Sequence, residues 1–339
     1  MYELREISFG SGAEWDAALG RCDRWSLFHT AAWLDFIEQT QPVRRRVYGI
    51  YGREELVGYL PGFELKMGPV RIFGSPFPGW TTAYLGPALV AGVDTAALFP
   101  ALAAGLRRAG FAHAELRPQE LPLEGAAAAG FRVCPYETQI AEVAADPEEI
   151  LATFTKEGRR NVRLARRDGL RVEITTEATF VDRYYDQLSA VFAKQGLPPT
   201  YPRRRVEKLW ELLMPTGRML CLQVLKDDRC LATGIDLVGH DWLHSFGSAA
   251  SQDREELKSY PNELRRYQGM CEAAARGIRH YDLTGVRAYK AKFGAHILDV
   301  PVLMLSNPLL RAGREVFRGL NTLRMRLRGR RPAGEGESA

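Results

Sequence analysis

Leu257-Lys-Ser-Tyr-Pro-Asn-Glu-Leu264, then an Ala- and Arg-rich run, then His280-Tyr-Asp-Leu-Thr-Gly285 and Tyr289-Lys-Ala-Lys-Phe-Gly294, form the stretch that decides the fold. Pro261 suits the first turn of a helix, where its fixed φ and missing N–H cost nothing. Glu263 in the same turn favours the positive end of the helix dipole. Leu264, Tyr267, Cys271, Ala274 and Ala275 recur at helical spacing, and Gly277 stops the run. Ile278 to Leu283 then reads as a strand ending in Thr-Gly. The expected order is helix, tight turn, strand and a Lys-rich loop at the strand's C-terminal end. Open α/β sheets tend to hold ligands outside strand ends, so Asp282, Lys290 and Lys292 are candidate site residues by position.

Working outward, the same order of elements occurs twice. In the first half, Leu4 to Ile7 reads as a strand, Ala13 to Leu19 as a helix, and Thr30 as the N-cap of a helix ended by Pro42. Arg46 to Tyr51 and Leu56 to Leu65 read as an antiparallel hairpin. Pro69 to Trp80, rich in proline, glycine and aromatics, is expected as a substrate-sized loop rather than a ladder strand. A helix over Asp94 to Ala109, a strand over Phe111 to Leu116, a short Ala-rich helix ending at Gly130 and a β segment over Phe131 to Val143 follow. From Pro147 the second unit is expected to repeat this: a helix from Glu148, a strand over Arg171 to Thr175, helices from Thr179 and Arg203, and a hairpin over Met219 to Val238. A strand over Trp242 to Ala249 then leads to the deciding stretch. Leu102-Ala-Ala-Gly-Leu-Arg-Arg-Ala-Gly-Phe-Ala-His-Ala-Glu-Leu116 and Cys271-Glu-Ala-Ala-Ala-Arg-Gly-Ile-Arg-His-Tyr-Asp-Leu283 look alike, as do the charged turns after Tyr51 and at Lys226. The expected fold class is α/β (α+β), a duplicated unit of mixed, mostly antiparallel sheet flanked by helices. Its boundaries are 1–146 and 147–306, with a basic amphipathic helix over 307–331 and a disordered tail over 332–339.

Composition narrows the function classes. The 339 residues are 46% hydrophobic and 26% charged, ordinary for a globular protein and long enough for two domains. A net charge of +5 is mild, so its distribution matters more than its total. Cys22, Cys134, Cys221, Cys230 and Cys271 never form a C-x-x-C pair, which argues against a disulfide scaffold or a zinc site and for a reduced, cytoplasmic compartment. The N-terminus lacks the pattern of a secretory signal. The apolar tract Tyr84 to Leu106 contains Pro87, Asp94 and Pro100 and reads as strand, turn and helix rather than a membrane span. His240 and His244 flank Asp241-Trp-Leu without a third ligand at metal spacing, so no metal is expected. No Ser-His-Asp signature or P-loop occurs.

Two successive units of helices, hairpin, helix and strand resemble the tandem GNAT-type fold of the Fem family of peptidoglycan-bridge aminoacyl transferases and related acyltransferases of bacterial envelope polysaccharides. The resemblance rests on Arg159-Arg-Asn-Val-Arg-Leu-Ala-Arg-Arg-Asp-Gly-Leu-Arg-Val172, Tyr260-Pro-Asn-Glu-Leu264, Tyr281-Asp-Leu-Thr-Gly285 and Tyr289-Lys-Ala-Lys-Phe-Gly294. In the first half only Phe28-His-Thr-Ala-Ala-Trp33 and Leu85-Gly-Pro87 contribute. Ser251-Gln-Asp-Arg-Glu-Glu256 stands where ordinary GNAT enzymes carry Q/R-x-x-G-x-G/A for acyl-CoA, and the long heptad hairpin of some Fem enzymes is missing. The resemblance implies an N-acyl or aminoacyl transferase with no tightly bound cofactor. Its co-substrate is acyl-CoA or aminoacyl-tRNA, and its acceptor is an amine on an envelope polysaccharide or peptidoglycan precursor. A non-catalytic binding or scaffold protein for such a precursor is the alternative.

Acyl transfer to an amine needs a deprotonated nucleophile, a stabilised carbonyl oxygen and a neutralised leaving group. Lys290, which matches the family's lysine, or Lys292 would supply positive charge to that oxygen or to a donor phosphate; each is otherwise a solvated loop lysine. Asp282 would position the amine or take its proton, or else accept from turn N–H groups. Glu263 would serve as the base or as a cap, and Tyr260 and Tyr289 would protonate the leaving group or simply pack. Asn262, in the same motif as Glu263, belongs with Lys292 to the donor-binding set. Lys156, Arg160, Arg163 and Arg167 share one helix face while Phe154, Val162 and Ala165 turn inward. That face is either solvated or binds a phosphate-rich partner such as tRNA or a phosphorylated or lipid-linked envelope precursor. From Pro308, Leu309, Val316, Leu320, Leu323 and Leu327 form a stripe among arginines, expected to dock on the body or to lie peripherally on the inner membrane.

Overall fold

The computed structural model describes residues 2–307. The expected basic helix beyond Asn307 and the tail after it lie outside the described residues. The chain opens with β1 (Tyr2–Glu6), α1 (Gly12–Leu19) and α2 (Ala31–Thr40). The hairpin of β2 (Arg44–Gly52) and β3 (Glu55–Met67) turns through Arg53 and Glu54, both at the positive φ that a two-residue hairpin turn requires. β4 (Val70–Ser75), β5 (Ala88–Leu89), α3 (Thr95–Arg108), β6 (His113–Leu116) and β7 (Arg132–Glu142) follow. The second half starts with α4 (Pro147–Thr153), α5 (Lys156–Arg167), β8 (Arg171–Ile174), α6 (Thr179–Ala193) and α7 (Arg203–Leu213). It continues with β9 (Met219–Lys226), β10 (Arg229–Val238), β11 (Trp242–Ala250), the short α8 (Arg254–Leu257) and α9 (Pro261–Ala275). β12 (His280–Asp282), a 3-10 segment (Ala288–Phe293) and β13 (His296–Ser306) complete it.

The strands join into one sheet in the order β1-β2-β3-β4-β6-β13-β7-β12-β11-β10-β9-β8, with β5 paired to β3. The order shows an exchange. β7, which follows the first half's helices, pairs with β12, whereas β13, the last strand of the second half, pairs with β6. β7 and β13 lie antiparallel along nine residue pairs and weld the two half-sheets. The duplication is visible in the pairing itself: among the described residues only β4–β6 and β11–β12 are parallel, one pair in each half.

Cores form where the apolar faces of the helices meet this sheet. α3 covers the first half through Leu98, Phe99, Leu102 and Leu106. α4, α5 and α9 cover the second through Ile150, Phe154, Val162, Leu264, Tyr267 and Met270. The third core is shared: Trp33 and Phe36 of α2 join Phe180, Tyr184 and Leu209 of α6 and α7, so the halves are bound by buried aromatic area and not only by the exchanged strands.

Three local expectations need correction. Val70–Ser75 is a ladder strand with Phe73 buried between β3 and β6; the prolines flank it at 69 and 76, so none removes a ladder N–H. The irregular segment is the one after Ser75. The Ala-rich stretch before Gly130 forms turns rather than a helix, since it is short and lacks a periodic apolar face. In α9 the inward stripe is Leu264, Tyr267, Met270 and Ala273, with Arg265 and Arg266 also buried, while Ala275 is exposed.

Candidate functional site

β11 and β12 pair only from Trp242↔His280 to His244↔Asp282. Beyond that point β11 runs on to Ala250, but the other chain turns away through Thr284 (φ 61°) and Gly285 (φ 68°). The parting strands open a notch at the C-terminal end of the parallel pair, and α9 points its N-terminus at it. Pro261 occupies the first turn of α9, preceded by Tyr260 in the left-handed region (φ 58°), a strained conformation for a tyrosine. A cleft of about 370 Å³ lies here, lined by Ser248, Asn262, Glu263, Arg266, Tyr289 and Lys292. Four residues expected from sequence therefore converge. Tyr289 is 52% exposed at its rim.

The other expected residues fall elsewhere. Lys290 is buried, and its ammonium donates to the carbonyls of Leu283 (2.8 Å), Thr284 and Gly285 (2.8 Å). All three protons are thus spent on the turn that ends β12, leaving none for an oxyanion in this arrangement. Burial and the nearby Arg266 guanidinium push Lys290 down to about 8. Lys292 bridges Glu157 (2.7 Å) and Glu263 (3.8 Å), and Asn161 also donates to Glu263 (3.2 Å), so the first turn of α9 is tied to α5. The hydrogen bond with Glu157 holds the Lys292 ammonium above its ordinary value. α5 packs so closely on this segment that a Cβ at Gly158 would stand 2.6 Å from the Lys292 carbonyl oxygen. Lys156, Arg160, Arg163 and Arg167 line the outer face of α5, with Phe154, Val162 and Ala165 buried. Of the four, only Arg167 has an ion-pair partner among the described residues, Asp168 at 3.8 Å.

Asp282, 1% exposed, ends β12 at the apex of the notch. Its Oδ1 accepts from Thr138 (2.7 Å) and the Thr284 N–H (2.8 Å), and its Oδ2 accepts from Tyr84 (2.9 Å). Burial alone would raise its pKa; the adjacent His244, Thr138 and Thr284 outweigh it and hold the carboxyl below its ordinary value. Burial and this carboxylate push the Tyr84 phenol well above its usual range.

Asp282 faces a second cleft of about 610 Å³ between the halves, lined by Tyr84, Arg117, Tyr136 and Thr138 from the first and by Tyr201 and Arg205 from the second. Arg117 is 6% exposed and Arg205 4%, and among the described residues neither has a carboxylate at ion-pair distance. Arg117 lies over the Tyr136 ring (4.2 Å), reaches the Ala83 carbonyl at 3.4 Å, and its Nε has no partner. Arg205 donates to the Trp80 carbonyl (2.7 Å). Burial pushes Arg117 below its usual value and Arg205 down to about 10, which leaves both cationic at neutral pH. Arg117 feels the charges of Glu115 and Asp282, but two buried cations that share no direct ion pair in one cleft are costly unless a further anion joins them.

Behind the notch, Asp236 takes Arg265 (3.3 Å) and Arg266 (3.8 Å), and Arg266 also reaches Ser245 (3.2 Å) and the Tyr281 hydroxyl. A Cβ at Gly234 would meet the Arg265 guanidinium, so any side chain there would force that group to shift.

Residues 153–291 match the family model described as an acetyltransferase (GNAT) domain. This range has the sequence pattern of a GNAT acyltransferase domain. Domains of this family use acyl-CoA as co-substrate, and in this one the notch, α9 and the Asp282 apex all fall inside the matched range. Among solved structures, the chain is similar over 91% of its length to FemX, of which it covers 99%, at 15% identity and a TM-score of 0.72. It is also similar to a conserved protein of unknown function from Bacteroides thetaiotaomicron VPI-5482 (12% identity, 90% of this chain and 100% of the other, TM-score 0.59). A third is L-PGS from Bacillus licheniformis (13% identity, 88% and 92%, TM-score 0.52). At these identities the likeness establishes the tandem fold. No curated protein sequence matches the chain.

Around the GNAT domain, sequence reasoning missed Tyr84, Thr138, Arg117 and Arg205, each brought to the apex or the cleft by contacts across the halves. The one readable signal was Arg205 beside Tyr201-Pro202, in a Pro-rich loop before a helix. Among the described residues no three His, Cys, Asp or Glu side chains are grouped to hold a metal, and no helix is long and apolar enough to cross a membrane.

Proposed function

We propose that the chain transfers an acyl or aminoacyl group from an activated donor in the notch to an amine of an anionic acceptor in the cleft between the halves. The observation that carries this is the cleft itself, where Arg117 and Arg205, buried and in no direct ion pair among the described residues, share a wall with the carboxylate of Asp282. The arginines bind the acceptor's phosphate or carboxylate, and the Tyr84 oxygen, whose hydroxyl donates to Asp282, accepts from its ammonium, so that the proton which must leave before attack passes through the phenol to the carboxylate. The envelope precursors expected from the Fem resemblance, phosphorylated or lipid-linked and carrying a free amine, fit that chemistry. Acyl-CoA is the donor the GNAT match favours. The unpaired cations of Lys156, Arg160 and Arg163 on α5 support aminoacyl-tRNA as the second candidate, through phosphate contacts that salt would weaken. Lys290 serves this scheme by holding the Leu283–Gly285 turn, and so Asp282 and Thr284, in place, rather than by touching the reacting carbonyl. Asn262, Tyr289 and Lys292 line the donor side, with Glu263 and Tyr260 framing it at the start of α9.

The test is acceptor binding in Arg117→Met and Arg205→Met. Each is expected to weaken binding of an amino sugar phosphate or nucleotide-linked muropeptide by roughly 10- to 100-fold, a lost charge-assisted pair. Folding stability should stay level or rise, because an unpaired buried charge is removed. Unchanged acceptor affinity in both variants would remove the cleft from the reaction.

A further inference from the structure

His244 takes no part in that scheme, yet it is the most unusual polar group near Asp282. It is 2% exposed, packed among Phe28 (4.8 Å between ring centroids), Tyr84 (5.7 Å) and Trp242 (6.1 Å), and neither ring nitrogen has a hydrogen-bond partner. A buried imidazole left wholly unsatisfied is costly and asks for a reason. Its Nδ1 stands 3.9 Å from Asp282 Oδ2, and its ring also lines a third cleft, of about 670 Å³, with Trp25, Glu120, His240 and Trp242. Asp282 lines the acceptor cleft and His244 the third one, so this pair, with Tyr84 beside it, spans the wall between them. Of the four acceptor positions on the Asp282 carboxylate, Thr138, Thr284 and Tyr84 occupy three; the remaining one, on Oδ2, faces His244.

We propose that His244 is the proton acceptor behind Asp282 and that the third cleft is the proton's exit to solvent. The inference rests on the transferase reading above, whose overall reaction turns an ammonium and an activated acyl compound into an amide, the protonated leaving group and one proton. That one proton leaves the ammonium nitrogen for the Asp282 carboxylate, with Tyr84 passing its own hydroxyl proton on and taking the new one. Asp282 then gives a proton to His244 Nδ1 and returns to the carboxylate. The imidazolium loses its Nε2 proton to water in the third cleft; a turn of the ring about Cβ–Cγ then carries Nδ1 toward that cleft, where it gives up its proton as Nε2 regains one, and the ring returns to its starting tautomer. No oxidant, metal or further co-reactant is needed. His244 touches no substrate in this scheme and is a positioning and relay residue. The titratable and charged groups that face it are Asp282 from β12, Tyr84 from the loop after β4, and, around the third cleft, Cys22, Asp23, Arg24, His29, Glu120, His240 and Asp241. Burial pushes His29 down to about 4, so it stays neutral while His244 works.

Two measurements on the full chain decide the matter. In histidine side-chain nitrogen NMR, Asp282→Asn should move the His244 ring-nitrogen resonances and shift its tautomer balance; a His244 signal indifferent to Asp282→Asn overturns the relay whatever the enzyme does. In turnover assays, His244→Ala should lose about 100-fold in kcat with little change in acceptor KM, and added imidazole, admitted through the third cleft, should restore much of it. His244→Gln should show the same loss without rescue, which separates a missing base from a damaged fold. Wild-type kcat in either variant overturns the relay but leaves the transferase standing. A wild-type chain that makes no amide with acetyl-CoA or aminoacyl-tRNA overturns the transferase reading, and the relay in catalysis with it.

Discussion

Asp282→Asn is expected to lower acyl transfer by about 100- to 10,000-fold while leaving the protein folded, the range for loss of a general base. The amide is close to isosteric. Its oxygen still accepts from Thr138 and the Thr284 N–H, and its NH₂ meets the Tyr84 oxygen, which can accept in turn. What vanishes is the charge, and with it both the attraction for an ammonium and the site for its proton. Steady-state rates beside urea unfolding curves check this. The loss should appear mainly in kcat, with the unfolding midpoint near that of the wild type. A variant that keeps its rate would take Asp282 out of the chemistry and leave it as the acceptor for a turn.

The largest effect on stability is expected at Asp236→Ala, about 3–5 kcal/mol by chemical denaturation. Asp236 is fully buried, and its carboxylate is the charge partner of Arg265, itself 1% exposed, and of Arg266. Removing it strands two guanidinium groups in the interior beneath the notch. A domain's net stability is about 5–15 kcal/mol, so the loss would consume a large share of it. Adding Arg265→Met to Asp236→Ala should recover part of the loss, because one stranded charge goes with it. A cost below about 1 kcal/mol for the single variant would mean that water reaches these arginines.

Much of the second half was legible because its signals are local. Pro261 and Gly277 bracket α9, the charged turn at Lys226 separates β9 from β10, and the basic run of α5 leaves Phe154, Val162 and Ala165 to turn inward. The duplication was visible for the same reason, since helix, glycine and strand recur with matching spacing before β6 and β12. What sequence did not show is the exchange of β7 and β13. A strand's partner depends on the register of pairing across the whole chain, and neither segment marks it locally. The same limit hid the acceptor cleft, whose lining residues lie up to 244 positions apart, from Thr40 to Thr284. The buried arginines of α9 were hidden differently. Arg265-Arg266 looks like a solvated pair until Asp236 and Gly234 on β10 are seen to make a charge partner and a space for it. Lys290 illustrates the converse: its position at a strand end was readable, but three backbone carbonyls, which no side-chain pattern reveals, take its protons.

Everything proposed for the two clefts depends on one event, amide formation between a donor in the notch and an amine in the cleft. Mass spectrometry of a nucleotide-linked muropeptide incubated with the wild-type chain and either acetyl-CoA or aminoacyl-tRNA tests it most directly. The account predicts that one donor adds its acyl mass to the acceptor amine and that Asp282→Asn abolishes the addition. An acceptor that raises the protein's melting temperature yet gains no mass from either donor would contradict it, and would identify the cleft as the binding site of a protein that holds such a precursor without modifying it.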